Sequence, residues 1–337
     1  MEKVISTGLL AYGMSGKIFH GPFLDNHPGF KLRAVTERSA KNADKDYPGI
    51  ISYSSVEDLL NDSEIELVVI NTPNNTHYEY AEKALNAGKH ILVEKPFTPS
   101  SAEAKYLFEL AAKKNLHILV YQNRRWDSDF STFKEVVESG KLGKLSEVHI
   151  RYDRYKSAIG VKAFKEEPFP ASGLQYDLGP HVLDQAISLF GIPLSFHKIL
   201  GKNRKDTLVD DYFCIHLTYP DSVNVFVYSS MLVVDIQPSF IAHGTNGTLV
   251  KERADIQEEQ LLKGIKPGTP GFGVEPEGKE AKLTTINSAG ERYTEFIVAK
   301  PSNYGNLFEA VYQTLVHQQP FPVTQEQQIA QLEILES

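Results

Sequence analysis

Val4-Ile5-Ser6-Thr7-Gly8-Leu9-Leu10-Ala11-Tyr12-Gly13-Met14-Ser15-Gly16-Lys17-Ile18-Phe19-His20 is the stretch on which the reading of the chain turns. Val4 to Leu10 is a short apolar strand candidate. A glycine-rich turn comes next, and Lys17 to His20 can open a helix. Strand, glycine turn and helix in that order is the context that raises a glycine pattern above chance. Gly13 would let the backbone approach a pyrophosphate, and Gly16 would allow close helix–strand packing. The helix N-terminus would supply donors and a favourable dipole. The first glycine of the G-x-G-x-x-G pattern is Ala11 here. An ordinary strand–turn–helix has the same outline, so the neighbouring segments have to decide.

Beyond His20 the chain alternates between strand and helix. Phe30 to Thr36 reads as a second strand and ends at Glu37-Arg38. Glu37 lies about 20 residues past the glycines, where a carboxylate holds the adenosine ribose of NAD. Arg38 could stack on adenine or pair with the 2′-phosphate of NADP. The carboxylate tilts the expectation toward NAD, with NADP as the alternative. Val56 to Leu60 is helical and Ile65 to Ile70 is a strand, leading into Asn71-Thr72-Pro73-Asn74-Asn75-Thr76-His77. Tyr78 to Ala87 is a helix closed by Gly88. Ile91 to Val93 reads as a fully buried strand that stops at Glu94-Lys95-Pro96, because proline has no donor and holds its predecessor extended. The helix Ser101 to Asn115 and the strand His117 to Gln122 complete the series. Strand–helix units joined by short loops mean a parallel doubly wound sheet, which binds ligands at the carboxyl ends of its strands. Those ends carry Gly13, Glu37, Asn71, Glu94-Lys95 and Asn123.

The pattern changes after Trp126. A helix over Phe130 to Ser139 leads into the alternating strand Glu147 to Tyr155. Further strand-like runs occupy 195–200, 211–219, 223–232, 239–243, 247–252 and 294–298, with 264–278 as a long loop. Strands without intervening helices pair antiparallel. Helices close the chain over 304–318 and from 326. Between these lies Asp177-Leu178-Gly179-Pro180-His181. Pro180 suits the first helical turn, which sets His181 there and Asp177 just before it. A helix N-terminus disfavours imidazolium and so favours a neutral base. A zinc site from Asp177, His181 and Asp184 lacks cysteines and a second histidine, and no metal is expected.

The 337 residues suit two domains, here 1–122 and 123–337. A net charge of −8 argues against nucleic-acid and anionic-membrane partners. No apolar run approaches the ~20 residues of a membrane helix. The N-terminus lacks signal-peptide organisation, and the single cysteine, Cys214, fits a reducing compartment, so a cytoplasmic chain is expected. Cys214 reads as core filler rather than a nucleophile.

The glycine turn, Asn71-Thr72-Pro73 with His77, Glu94-Lys95-Pro96, and Asp177 with His181 occur in the order of the Gfo/Idh/MocA oxidoreductases, which the chain resembles over almost its whole length. Tyr12 to His20 and Asn123 to Phe130 look like the branch that includes scyllo-inositol dehydrogenases. The resemblance implies an α/β protein: an N-terminal Rossmann domain and a C-terminal α/β domain with a large, mostly antiparallel sheet that mediates dimers or tetramers. It implies an NAD(P)-dependent dehydrogenase with Lys95, Asp177 and His181 at the reacting centre. Cofactor contacts are then expected from Tyr12, Gly13, Met14, Ser15, Gly16, Glu37, Arg38, Asn71, Thr72, Pro73, Asn75, His77, Glu94, Lys95, Asn123, Arg125 and Trp126. Substrate contacts are expected from Lys95, Asn123, Arg125, Trp126, Arg154, Tyr176, Asp177 and His181, on a polyol or sugar. Arg124-Arg125 is open to two readings, an anion site or a solvated pair. Non-catalytic regulators share this fold, but they should lack the lysine or the histidine, and this chain keeps both.

Overall fold

The computed structural model describes residues 3–39, 41–159 and 166–337. Six strands make a wholly parallel sheet: Ile5–Leu9 (β1), Phe30–Thr36 (β2), Ile51–Tyr53 (β3), Leu67–Ile70 (β4), His90–Glu94 (β5) and Ile118–Tyr121 (β6). Their order is β3-β2-β1-β4-β5-β6. It reverses between β1 and β4, the switch point at which doubly wound sheets open a crevice. Helices Gly21–Asn26 (α1), Ala43–Asp46 (α2), Val56–Asn61 (α3), His77–Asn86 (α4) and Ser101–Lys114 (α5) connect the strands.

Burial explains the apolar runs. Ile91, Leu92 and Val93 of β5 are wholly buried, each contributing about 1.5–3 kcal/mol of transfer free energy. Helix α5 starts on a reciprocal cap, Ser100 accepting from the Glu103 N–H while the Glu103 side chain accepts from the Ser100 N–H. It ends on Asn115 in the left-handed region, φ 56°. Strand β3 is absent from the sequence reading. It spans three residues, none of them fully buried, too few for a period to register.

Two compact units divide the chain. The first holds this sheet and also Gln257–Phe272 and Asn303–Leu332. Aromatic residues fasten the last of these segments. Within Gly305–His317 (α10 in the chain), Phe308 stacks on Phe23 with centroids 5.6 Å apart, and Tyr312 donates to the Lys3 carbonyl at 2.9 Å.

The second unit comprises Arg124–Ile256, Gly273–Ser302 and Glu333–Ser337. It contains helices Ser128–Glu138 (α6), Leu174–Asp177 (α7) and Gly179–Phe190 (α8). Its strands are Leu145–Arg151 (β7), Ser195–Gly201 (β8), Tyr212–Thr218 (β9), Asn224–Ser230 (β10), Phe240–Gly244 (β11), Gly247–Lys251 (β12), Ala281–Ile286 (β13) and Arg292–Ile297 (β14). They form one sheet in the order β14-β13-β12-β11-β7-β10-β9-β8. Every pair is antiparallel except β7 with β10. Strand β13 and the helix Ile256–Leu262 (α9) escape the sequence reading, each lying beside the Gly- and Pro-rich stretch 264–278, which itself carries no helix or strand. Cys214 is a correction. Phe213, Ile215 and Leu217 of β9 fill the core, so the period of two turns Cys214 to the opposite face, where it is half-buried. Burial still raises its thiol pKa, which suits no nucleophile. No helix among the described residues is long and apolar enough to cross a membrane.

The opening residue of β5 sets a pH dependence. His90 Nδ1 accepts the His117 N–H at 3.1 Å, and burial, reinforced by His117, lowers the imidazole pKa to about 4. Above the unfolded value of roughly 6.5 the ring is neutral in both states. Between there and 4 the unfolded chain takes a proton that the folded ring refuses, so stability falls with pH. Urea midpoints at pH 7 and pH 4.5 should drop less for His90→Asn than for the parent chain; equal drops would remove His90 from the effect.

Candidate active site

The carboxyl ends of β1 to β4 surround a cavity of about 600 Å³ within the first unit. Tyr12, Gly13, Glu37, Arg38, Thr72 and Pro73 line it, together with Ser39, Thr76 and Tyr80, which the sequence reading does not single out. Met14 is exposed, and Asn75 lies on the exposed side of the short turn Asn74–Thr76; neither lines this cavity.

Three tethers hold the neighbouring strand ends. Asn71, at the end of β4, accepts the Ala11 N–H at 3.1 Å and donates to the Ala11 carbonyl at 2.8 Å. Its amide thus holds the glycine turn through both polar groups of one residue. Gly16 sits so close that a Cβ there would lie 2.2 Å from the Ala11 oxygen, whereas a Cβ on Gly13 would meet nothing within 4 Å. One glycine is required by packing and the other leaves its backbone open to an approaching ligand, the division of labour a pyrophosphate-binding turn needs. The residues fit a dinucleotide.

The second tether is Glu94. Its Oε1 accepts from the Ser15 hydroxyl at 2.8 Å and lies 2.9 Å from His20 Nε2. Burial pushes the carboxyl pKa up, but His20, Ser15 and the Lys95 charge outweigh it, and the net shift is downward. His20 is wholly buried, its ring 4.4 Å from that of Tyr121. The sequence reading quotes His20 only as part of a motif, without a role. The third tether is His77, wholly buried, with Nδ1 2.7 Å from the Pro96 carbonyl and Nε2 2.9 Å from that of Thr72. Burial lowers its pKa against the pull of the two carbonyls. Both carbonyls can only accept, so a ring nitrogen that carries a proton donates to the carbonyl it faces. Glu94 and His77 together bracket Lys95, whose peptide bond to Pro96 is cis.

At the far wall, Tyr12 donates to Asp46 of α2 at 2.7 Å, and Lys17 pairs with the same carboxylate at 3.1 Å. Burial, with Asp46, pushes the Tyr12 hydroxyl pKa well up, while the Tyr12 bond lowers that of Asp46.

In the second unit Asp177 ends α7, and His181 comes in the first turn of α8, buried. The His181 ring lies 6.5 Å from that of Tyr152, a residue the sequence reading passes over. Over the same Tyr152 ring lie the guanidinium groups of Arg253 at 4.0 Å, Arg154 at 5.1 Å and Arg124 at 5.6 Å. Arg125 grips Asp184 through two bonds of 2.6 and 2.7 Å, and Arg124 pairs with Asp255 at 2.6 Å and Asp127 at 3.3 Å. Neither arginine is a solvated charge, and each faces a carboxylate. Tyr176 is buried and Trp126 half-buried. Asn123, also buried, closes the first stretch of the other unit. Among the described residues no group of acidic, histidine or cysteine side chains could hold a metal.

A Rossmann unit with a glycine turn suited to a pyrophosphate, joined in one chain to an α/β unit built on a broad mixed sheet, is the architecture of a dinucleotide-binding protein. Residues 5–122 match the GFO_IDH_MocA family, described as an oxidoreductase family with an NAD-binding Rossmann fold, and residues 130–250 match the GFO/IDH/MocA C-terminal domain. The chain is 38% identical to the uncharacterized oxidoreductase C115.03 of Schizosaccharomyces pombe, over 99% of this chain and 96% of that one. It is 32% identical to the scyllo-inositol 2-dehydrogenase (NADP(+)) IolW of Bacillus subtilis, covering 99% and 92%. A crystal structure of an oxidoreductase from Bacillus cereus superposes with a TM-score of 0.92 at 34% identity, covering 99% and 95%. The chain belongs to the GFO/IDH/MocA family and is an NAD(P)-dependent dehydrogenase.

The packing of Gly16 is testable. In Gly16→Ala the new methyl must displace the Ala11 carbonyl, and the turn opens. Dinucleotide affinity, read by fluorescence titration, should fall by about tenfold or more, roughly 1.4 kcal/mol, with the far-ultraviolet circular dichroism unchanged. Parent-like affinity would show that the close approach at Ala11 is dispensable.

Proposed function

We propose that the chain transfers a hydride between nicotinamide and a secondary alcohol of a cyclitol or sugar, with Lys95, Asp177 and His181 as the reacting groups. When bound, the cofactor supplies the hydride chemistry itself. His181 takes the hydroxyl proton as the carbon gives up its hydride, Lys95 stabilises the developing alkoxide charge, and Asp177 orients the pair. The observation that carries this reading is the Glu94 tether. The residue preceding Lys95 is bonded to Ser15 of the glycine turn and lies beside His20 of the helix after it, which supports a role for the lysine next to the cofactor.

In this reading residues 1–122 carry the cofactor and 123–337 the substrate and subunit contacts. Asn123, Arg125, Trp126, Arg154 and Tyr176 supply the donors and the aromatic wall that a polyhydroxylated ring requires. The name of IolW supports a cyclitol. A homodimer or homotetramer through the eight-stranded sheet belongs to the same reading. It is supported by the stack of His149, Phe226 and His216 across β7, β10 and β9, an aromatic face suited to meeting a second copy. A cytoplasmic location accords with the single cysteine.

Lys95→Ala or His181→Ala should lower turnover by roughly 10²–10⁴-fold with dinucleotide affinity nearly unchanged. A panel of inositols, aldoses and phosphorylated sugars, followed at the reduced-nicotinamide absorbance band, identifies the substrate for that comparison. Parent-like turnover in either variant at saturating cofactor would sink the assignment of that residue. Silence of the parent across the whole panel, with cofactor bound, would point to a non-catalytic binding protein.

A further inference from the structure

Glu37 ends β2 at the position where a Rossmann carboxylate receives the adenosine ribose hydroxyls, and on sequence it argues for NAD. Its hydrogen bonds remove that argument. Oε1 accepts the Asn42 N–H at 2.8 Å and the Ala43 N–H at 3.3 Å; Oε2 accepts the Ala43 N–H at 3.3 Å and the Ser52 hydroxyl at 2.9 Å. The residue is 7% exposed. Three protein donors therefore converge on the carboxylate, the Ala43 N–H shared between its two oxygens, and a ribose diol would have to compete with them. Glu37 closes the loop from β2 to α2 on itself.

The next residues are exposed where Glu37 is buried. Arg38 and Ser39 are exposed and line the same cavity, and Arg38 forms no ion pair among the described residues. The remaining carboxylate on the cavity wall, Glu57, is paired with Lys83 at 2.9 Å. Arg38, Lys41 and Lys45 give the run 38–45 three cations against the single acid Asp44. At this end of the cavity the acid that would repel a phosphate is buried and satisfied, while a guanidinium and a hydroxyl stand open to receive one.

We propose that the adenosine end of the cavity selects the 2′-phosphorylated cofactor, NADP, with Arg38 as the specificity-determining residue, Ser39 as a second donor to the phosphate, and Glu37 as the positioning residue that aims them. This rests on the dehydrogenase reading but concerns only which dinucleotide is held.

The test is calorimetric titration of the full chain with NADPH, NADH, 2′,5′-ADP and 5′-AMP; the last two lack nicotinamide and report on the adenosine end alone. The parent should bind NADPH at least tenfold more tightly than NADH, and 2′,5′-ADP at least tenfold more tightly than 5′-AMP. Arg38→Ala, a change at an exposed side chain, should bring both ratios close to one, and Arg38→Lys should restore part of each. A parent that binds NADH as well as NADPH, or ratios that survive Arg38→Ala, would overturn the proposal and leave the dehydrogenase reading intact. Binding of neither dinucleotide would overturn both.

Discussion

The interaction on which the first unit's chemistry depends is the one between Glu94 and the turn after β1. Its carboxylate sits at the end of β5, bonded to Ser15 and beside His20. A carboxylate in a low-dielectric interior is costly unless it is matched, and removing its partners would strand it. Ser15 and His20 supply the match. In doing so they fix the distance between the turn that meets a pyrophosphate and the strand end that carries Lys95. Asn71 repeats the logic from β4 and His77 from α4, so that the glycine turn and Lys95 are referred to one rigid set of strand ends.

The same constraint governs several side chains whose type suggests a ligand. Glu37, Asn71, Glu94 and Arg125 are polar residues at or just beyond strand ends, and each makes hydrogen bonds to the protein itself. Buried polar groups must find partners, and at the carboxyl ends of a parallel sheet the nearest unpaired groups are loop N–H and C=O groups. A carboxylate there caps a loop at least as readily as it waits for a ribose. Arg38 and Ser39, which follow Glu37, stay exposed on the lining of the same cavity.

Much of the fold was legible because its signals are local. Apolar runs bounded by Gly, Pro and Asn marked β1, β2, β4, β5 and β6, and alternation marked most of the second sheet. The failures are local as well. Three residues of β3 carry no period, and β13 hides behind a Gly- and Pro-rich segment. Segment 303–332 joins the first unit although it comes after the whole second sheet in sequence. Its signal was present as aromatic residues at 304, 308 and 312, one helical face, but nothing in a helix states which partner that face will meet.

The sequence by itself determined the class of this protein. Four motifs in order, a glycine turn leading into strand–helix alternation, and a proline-led helix carrying His181 arise from the steric and hydrogen-bonding habits of the residue types, which need no knowledge of the rest of the chain. Tertiary structure decided what each polar side chain does. Whether Glu37 faces a ribose or two backbone N–H groups depends on where Ser52 and α2 come to rest, and whether Arg125 is a free cation depends on Asp184, 59 positions away. A carboxylate's preference for donors is fixed by its chemistry. Which donors reach it first is a property of the folded chain alone.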